Sequence, residues 1–138
     1  MPNGIDLILA DHQKVNDLFA RFDETMDGGI VGQVIDSLQA HDDAEHGALY
    51  PLAATILGDN ALVVRLAAAH SLVKKQIDNV KHLEGAPLVD AVRALQVIVT
   101  EHVQDEETNL LPALAERATP QQLEGLGARI LQSKQRVG

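Results

Sequence analysis

Residues 41–51, HDDAEHGALYP, return 61 positions later as residues 102–112, HVQDEETNLLP. Aligned on the histidine, both copies carry Glu at the fourth following position, Leu at the eighth and Pro at the tenth. Residues four apart on a helix sit one above the other, so each copy offers an imidazole nitrogen and a carboxylate oxygen to the same region of space. A single such pair is a common accident. A duplicate with matching Leu and Pro describes two helices that present the same metal-ligand pair.

The sequence around the two copies extends both helices. Val34, Leu38, His41, Glu45 and Leu49 recur at steps of four and three, as do Leu88, Val92, Leu95, Val99, His102 and Glu106, followed by Asn109 or Leu110. Two further segments carry the same kind of stripe: Ile5, Leu9, His12, Val15, Phe19 and Phe22 in one, and Leu62, Leu66, His70, Val73, Ile77 and Val80 in the other. One histidine interrupts each of these apolar faces. Gly28 and Gly29 are expected to end the first helix, and Asp59 or Asn60 to cap the third after Gly58. Pro51 should kink or end its helix near Leu49, with LAATIL able to continue helically beyond. Thr119 followed by Pro120 reads as a cap and first-turn proline, opening a last helix anchored by Leu123, Leu126 and Ile130. The spacing thus predicts helices over about 5–26, 30–57, 60–84, 87–117 and 120–134. With no alternating strand pattern and short connections, the expected fold is all-α: an up-down-up-down four-helix bundle with a short fifth C-terminal helix, as one domain over 1–138.

Composition narrows the chemistry. There is no cysteine, which rules out disulfides and thiolate metal sites, so any metal must be held by nitrogen and oxygen. Twenty acidic against eleven basic residues give a formal charge of −9, and the basic residues are scattered, which argues against a nucleic-acid partner. Neither a signal-peptide pattern nor a long apolar run is present, so no membrane partner and a cytoplasmic location are expected. Aromatic residues are only Phe19, Phe22 and Tyr50, which suits helices packed closely through small aliphatic side chains.

The inward polar residues number four histidines and two glutamates: His12, His41, Glu45, His70, His102 and Glu106. A lone His precedes each HxxxE, by 29 residues in the first half and 32 in the second. Six ligands are too many for one tetrahedral zinc, whereas two glutamates can bridge a pair of ions that the histidines cap. Imidazole with carboxylate suits iron or manganese, and iron is preferred. His46 and His82 fall off the stripes and are expected at the surface; Asp105 and Glu107, flanking Glu106, are expected to support the site or face solvent, and Asp42 and Asp43 to form an acidic surface. Tyr50 is offset from Glu45 by its angle on the helix, so packing near Pro51 is its expected role, with a contact to the metals as the alternative.

With these residues in place, the chain resembles the hemerythrin-like family of HHE cation-binding domains over nearly its whole length. The order His, HxxxE, His, HxxxE, with Pro after each HxxxE, carries the resemblance. It implies a non-haem centre of two iron ions, carboxylate-bridged and oxo- or hydroxo-bridged, with ligands His12, His41, Glu45, His70, His102 and Glu106. It also implies small-molecule partners such as O2, peroxide or nitric oxide. Oxygen-carrying members have a second histidine four residues after the first on the third helix, and here that place is Lys74. A protonated lysine is no ligand. Lys74 and Tyr50 are therefore accessory candidates, and the pattern is similar to bacterial four-His, two-Glu members, some of which decompose hydrogen peroxide. A binding or sensing module for O2, nitric oxide or iron is the alternative expectation.

Overall fold

The computed structural model describes residues 3–58 and 60–137, and among these every regular element is helical. Helix α1 (Gly4–Thr25) starts where Asn3 accepts a hydrogen bond from the Ile5 amide at 2.8 Å. It ends at Met26, which takes a left-handed conformation (φ 54°) and bonds back to the Phe22 carbonyl. Gly28 and Gly29, expected to end this helix, instead form the first turn of α2 (Gly28–Ala44). The reason is Asp27: its carboxylate accepts from the Gly29 amide at 2.9 Å and nucleates α2 at once.

Each HxxxE copy leads into the same irregularity. After α2 comes a five-residue π turn, Glu45–Leu49, and then α3 (Tyr50–Leu57). After α4 (Asn60–Lys81) and α5 (Gly85–Asp105) comes a second π turn, Glu106–Leu110, and then α6 (Leu111–Arg117). The amides of Tyr50 and Leu111 bond back five residues, to the carbonyls of Glu45 and Glu106. Proline has no amide hydrogen and its ring clashes with the carbonyl four residues earlier; the widened turn places Pro51 and Pro112 in the first turn of the next α segment, where neither defect matters. The break expected near Leu49 is therefore a continuous rod with one extra residue. That residue also shifts the inward face, so that Leu49 and Tyr50 are both buried, as are Leu110 and Leu111.

The four rods enclose two apolar clusters. Phe19, Phe22, Val34, Ile77, Val92 and Leu95 belong to one, and Ile8, Leu49, Leu66, Leu110, Leu114 and Ile130 to the other. Gly58 (φ 65°) ends α3 in the left-handed region that glycine adopts without strain; of the two expected caps of the third helix, Asn60 is the first residue of α4 and Asp59 lies outside the described residues. Helix α7 (Pro120–Val137) opens with a reciprocal cap: Thr119 Oγ accepts from the Gln122 amide at 3.1 Å, and Gln122 Oε1 from the Thr119 amide at 2.9 Å. It packs on α1, α2 and the first π turn through Leu126 and Ile130.

On α1 the buried stripe is wider than expected. Ile8 and Leu18 are buried, while Leu9 is 40% exposed. With α7 as well as the bundle to pack against, α1 turns Ile8 inward and leaves Leu9 on the wall of a cavity of about 340 Å³ between α1 and α5. At Gly4 of α1 an added methyl would fall within the Leu126 side chain of α7. Gly4→Ala should therefore destabilise the fold by about 1–3 kcal/mol, the usual cost of overpacking, read by urea or thermal unfolding against the parent chain.

Candidate metal centre

Between the two apolar clusters lies one polar layer. His12 from α1, His41 and Glu45 from the second rod, His70 from α4, and His102 and Glu106 from the fourth rod are all buried there. The structure brings together all six residues selected from the sequence stripes. Each carboxylate divides its oxygens between two pairs of histidines. Glu45 Oε2 lies 3.1 Å from His41 Nε2 and 3.9 Å from His12 Nε2, while its Oε1 lies 2.8 Å from His70 Nε2 and 3.6 Å from His102 Nε2. Glu106 Oε1 is 3.2 Å from His12 Nε2, and its Oε2 is 3.3 Å from His102 Nε2. Two groups that could each hold an ion result: His12, His41, Glu45 and Glu106 in one, and His70, His102, Glu45 and Glu106 in the other.

The first group tests whether a cation fits. Among the described residues, His12 Nε2, His41 Nε2, Glu45 Oε2 and Glu106 Oε1 are buried and have no hydrogen-bond partner, and all four belong to this group. A buried polar atom without a partner costs about 1–3 kcal/mol. Four such atoms converging on one point fit a metal ion.

In the second group, Tyr50 reaches the centre. Its hydroxyl donates to Glu106 Oε2 at 2.9 Å and lies 3.0 Å from His70 Nε2 and 3.4 Å from His102 Nε2. The packing role expected for Tyr50 thus gives way to direct contact, because the π turn supplies the rotation that a regular α-helix would lack. Burial first, then the charges of Glu45 and Glu106, raise its pKa well above the ordinary phenol value, so it keeps its proton.

The outward ring nitrogens are held by neighbouring helices. Asp11 of α1 meets His41 Nδ1 at 3.1 Å, Asp42 of α2 meets His70 Nδ1, and Glu107 of the second π turn meets His12 Nδ1 at 2.7 Å. A carboxylate on Nδ1 fixes the ring so that the Nε2 lone pair points inward. The circuit breaks at His102, whose Nδ1 has no partner among the described residues. Sequence reasoning assigned Asp42 to an acidic surface and gave Asp11 no role, because each acid serves the histidine of a neighbouring helix and not its own. The available signal was adjacency: Asp11, Asp42 and Glu107 each stand next to an inward residue.

Lys74 stays outside, 66% exposed along its side chain, with its ammonium 3.4 Å from Asp42. His46 is exposed as expected, yet its Nε2 is 3.3 Å from Asp42 Oδ1 and its ring packs edge-on against His70 and Tyr50. His82 is exposed. Asp105 faces Arg65, which holds it by two hydrogen bonds of 2.7 and 3.0 Å.

As protein groups alone, three of the four imidazoles take up protons. Burial lowers the pKa of His12, but Glu106 and Glu45 outweigh it and push it up to about 9. The same contest, decided by Glu45 and Asp11, raises His41 to about 10, and Glu106 and Glu45 raise His102 to about 9. Burial, with the charges of His102 and His41, lowers His70 to about 3. A metal needs the lone pairs that these protons occupy. Titrating metal-free protein with cobalt(II) in weakly buffered solution at pH 7 should therefore release protons, and apparent affinity should rise from pH 7 toward 8.5 as protons compete less. An affinity flat over that range would contradict the assignment.

Three comparisons bear on this arrangement. A solved hemerythrin HHE cation-binding domain-containing protein from Mycobacterium kansasii superposes with a TM-score of 0.83 at 19% identity, over 99% of this chain and 90% of that one, which establishes the likeness of fold. A curated DNA nickase from Nostoc sp. is 30% identical over 138 residues, covering 96% of this chain but only 39% of the relative's length. The chain therefore spans about two fifths of that relative. Residues 3–114 match the family described as the hemerythrin HHE cation binding domain, and this span contains both HxxxE copies and all six buried His and Glu residues. By fold, by motif and by the contents of its polar layer, the chain belongs to the hemerythrin HHE cation-binding domain family.

Proposed function

We propose that the chain is a non-haem diiron protein. In this reading His12, His41, Glu45 and Glu106 hold one iron, His70, His102 and the same two carboxylates hold the other, and the centre reacts with hydrogen peroxide or O2 in defence against oxidative or nitrosative stress, in the manner of a catalase. The observation that carries the reading is the division of each glutamate between two donor groups. Mixed imidazole and carboxylate donors suit iron. Bound there, two irons would supply one-electron redox changes and coordination positions open to a small oxidant.

The chain's own residues do the rest. Glu45 and Glu106 set the separation of the two halves, since each presents one oxygen to either side. Tyr50 holds a proton on its hydroxyl between Glu106 Oε2 and His70 Nε2, where a reacting oxygen atom could receive it. Beside the four histidines and Asp42, Val15, Leu38, Val73, Val99 and Val103 line a cavity of about 30 Å³. Sites for drug-sized ligands occupy about 300–1,000 Å³, so this inner space favours a diatomic molecule or peroxide, while the cavity of about 340 Å³ between α1 and α5 shares His12, Val15, Val99 and Val103 with it.

Metal analysis of the purified protein followed by peroxide addition tests the proposal. The expected result is about two irons per chain, as in other two-metal sites, with O2 evolved from peroxide. Zinc in place of iron, or full iron without O2 evolution, would overturn the catalytic reading. The second reading, a non-catalytic module that binds or senses O2, nitric oxide or iron, draws support from the Nostoc relative, in which the matching region is a minor part of a longer protein. A reversible spectral change with O2 or nitric oxide and no peroxide turnover would select it. The formal charge of −9 speaks against a nucleic-acid backbone as ligand in either case.

A further inference from the structure

We propose that Lys134 is a positioning residue for the His12/His41 half of the centre, acting through Asp11, and that helix α7 is docked in concert with metal binding there. The inference rests on the metal reading above. Lys134 Nζ pairs with Asp11 Oδ1, while Asp11 Oδ2 stands 3.1 Å from His41 Nδ1. His41 Nε2 then faces the interior as one of the four partnerless donor atoms. Asp11 alone could rotate away from the imidazole, because nothing on its own helix is seen holding its second oxygen. The ammonium of Lys134 fixes that oxygen and balances its charge, so the ring orientation at the metal site depends on a side chain from the far end of the sequence.

Two observations give this contact more weight than an ordinary surface pair. Lys134 is only one-third exposed, and the helix that carries it is anchored by the buried side chains of Leu126 and Ile130 in the same apolar cluster as Leu49. Its helix also lies beyond residue 114, where the family match ends, so a segment outside the shared domain description completes the support of a buried imidazole.

The other half of the site contains a natural control. Lys74, Asp42 and His70 form the same lysine–aspartate–histidine series, but Lys74 is 66% exposed and sits on α4 together with His70. That lysine joins α4 to α2, two helices that already supply histidines, and ties no further helix to the centre.

Cobalt(II) titrated into the metal-free full chain separates the roles, with wild type, Lys134→Met, Lys134→Arg and Lys74→Met compared. Loss of an outer partner of a metal-bound histidine commonly lowers affinity by about 10- to 100-fold. Lys134→Met should weaken one of the two cobalt ions by about tenfold, Lys134→Arg should restore it, and Lys74→Met should leave both ions near wild type. Hydrogen exchange of α7 should slow on cobalt binding in wild type and not in Lys134→Met. If Lys134→Met fails to fold, judged by its metal-free helical signal, Asp11→Asn breaks the same link from α1 and should show the same selective weakening. Wild-type affinity for both ions in Lys134→Met, or α7 exchange in wild type that ignores cobalt, would overturn the role of Lys134 alone. A wild-type chain that binds no cobalt would overturn the metal reading together with it.

Discussion

Glu45→Ala should empty both halves of the site, whereas His12→Ala should empty one. Each histidine serves one donor group, but Glu45 gives Oε1 to the His70/His102 pair and Oε2 to the His12/His41 pair. Removing one partner from a buried charged set costs about 3–5 kcal/mol, so the alanine variant should lose at least about 100-fold in affinity at each half. Metal-to-protein ratios after dialysis against a weak chelator would read this directly. Glu45 is fully buried, so the circular dichroism of the variant must first show an intact bundle. A folded Glu45→Ala chain that keeps one tightly bound ion would mean that the carboxylate is not shared.

Stripping the metal should lower the melting temperature by roughly 10 °C or more. A ligand held at a thousand times its dissociation constant contributes about 4 kcal/mol to the folded state, and a chain of this size gains about 3 °C per kcal/mol. Unfolding should not follow automatically, since the imidazoles that lose metal can take protons and pair with Glu45 and Glu106. The expected signature is a bundle that keeps its helical signal at room temperature in a chelator yet melts early, with recovery on returning the metal. Identical melting with and without chelator, in protein shown to have bound metal beforehand, would sink the idea that the ion relieves the partnerless atoms of the polar layer.

The sequence made legible what obeys the geometry of a single helix. His12 and His70 stood out because each interrupts an apolar stripe, and Glu45 and Glu106 because each lies one turn beyond a histidine. All six arrive in one buried layer. What escaped depends on relations between helices or on departures from regular winding. Asp11 and Asp42 look like solvent-facing acids along their own helices, and only the neighbouring rod shows what they hold. Leu9 fits the stripe of α1 as well as Ile8 does; the presence of α7 decides which of them is buried. Tyr50 was placed by an angle of 100° per residue that ceases to apply five residues before it.

The π turns also determine where this chain can tolerate a change of length. Deleting one residue between Glu45 and Pro51 would allow ordinary α winding to resume, and the spectroscopic helix content would barely register the loss. The side chains beyond the deletion would nearly keep their bearing, since the widened turn is what absorbs the extra residue, but Pro51 would then fall inside regular α winding, where its ring meets the carbonyl four residues earlier. Insertions and deletions among chains of this fold should therefore collect near the breaks at Gly58 and Gly85 and spare the six-residue interval from each glutamate to its proline. That interval works as a gauge block, whose value lies in its length more than in the identity of the residues that fill it.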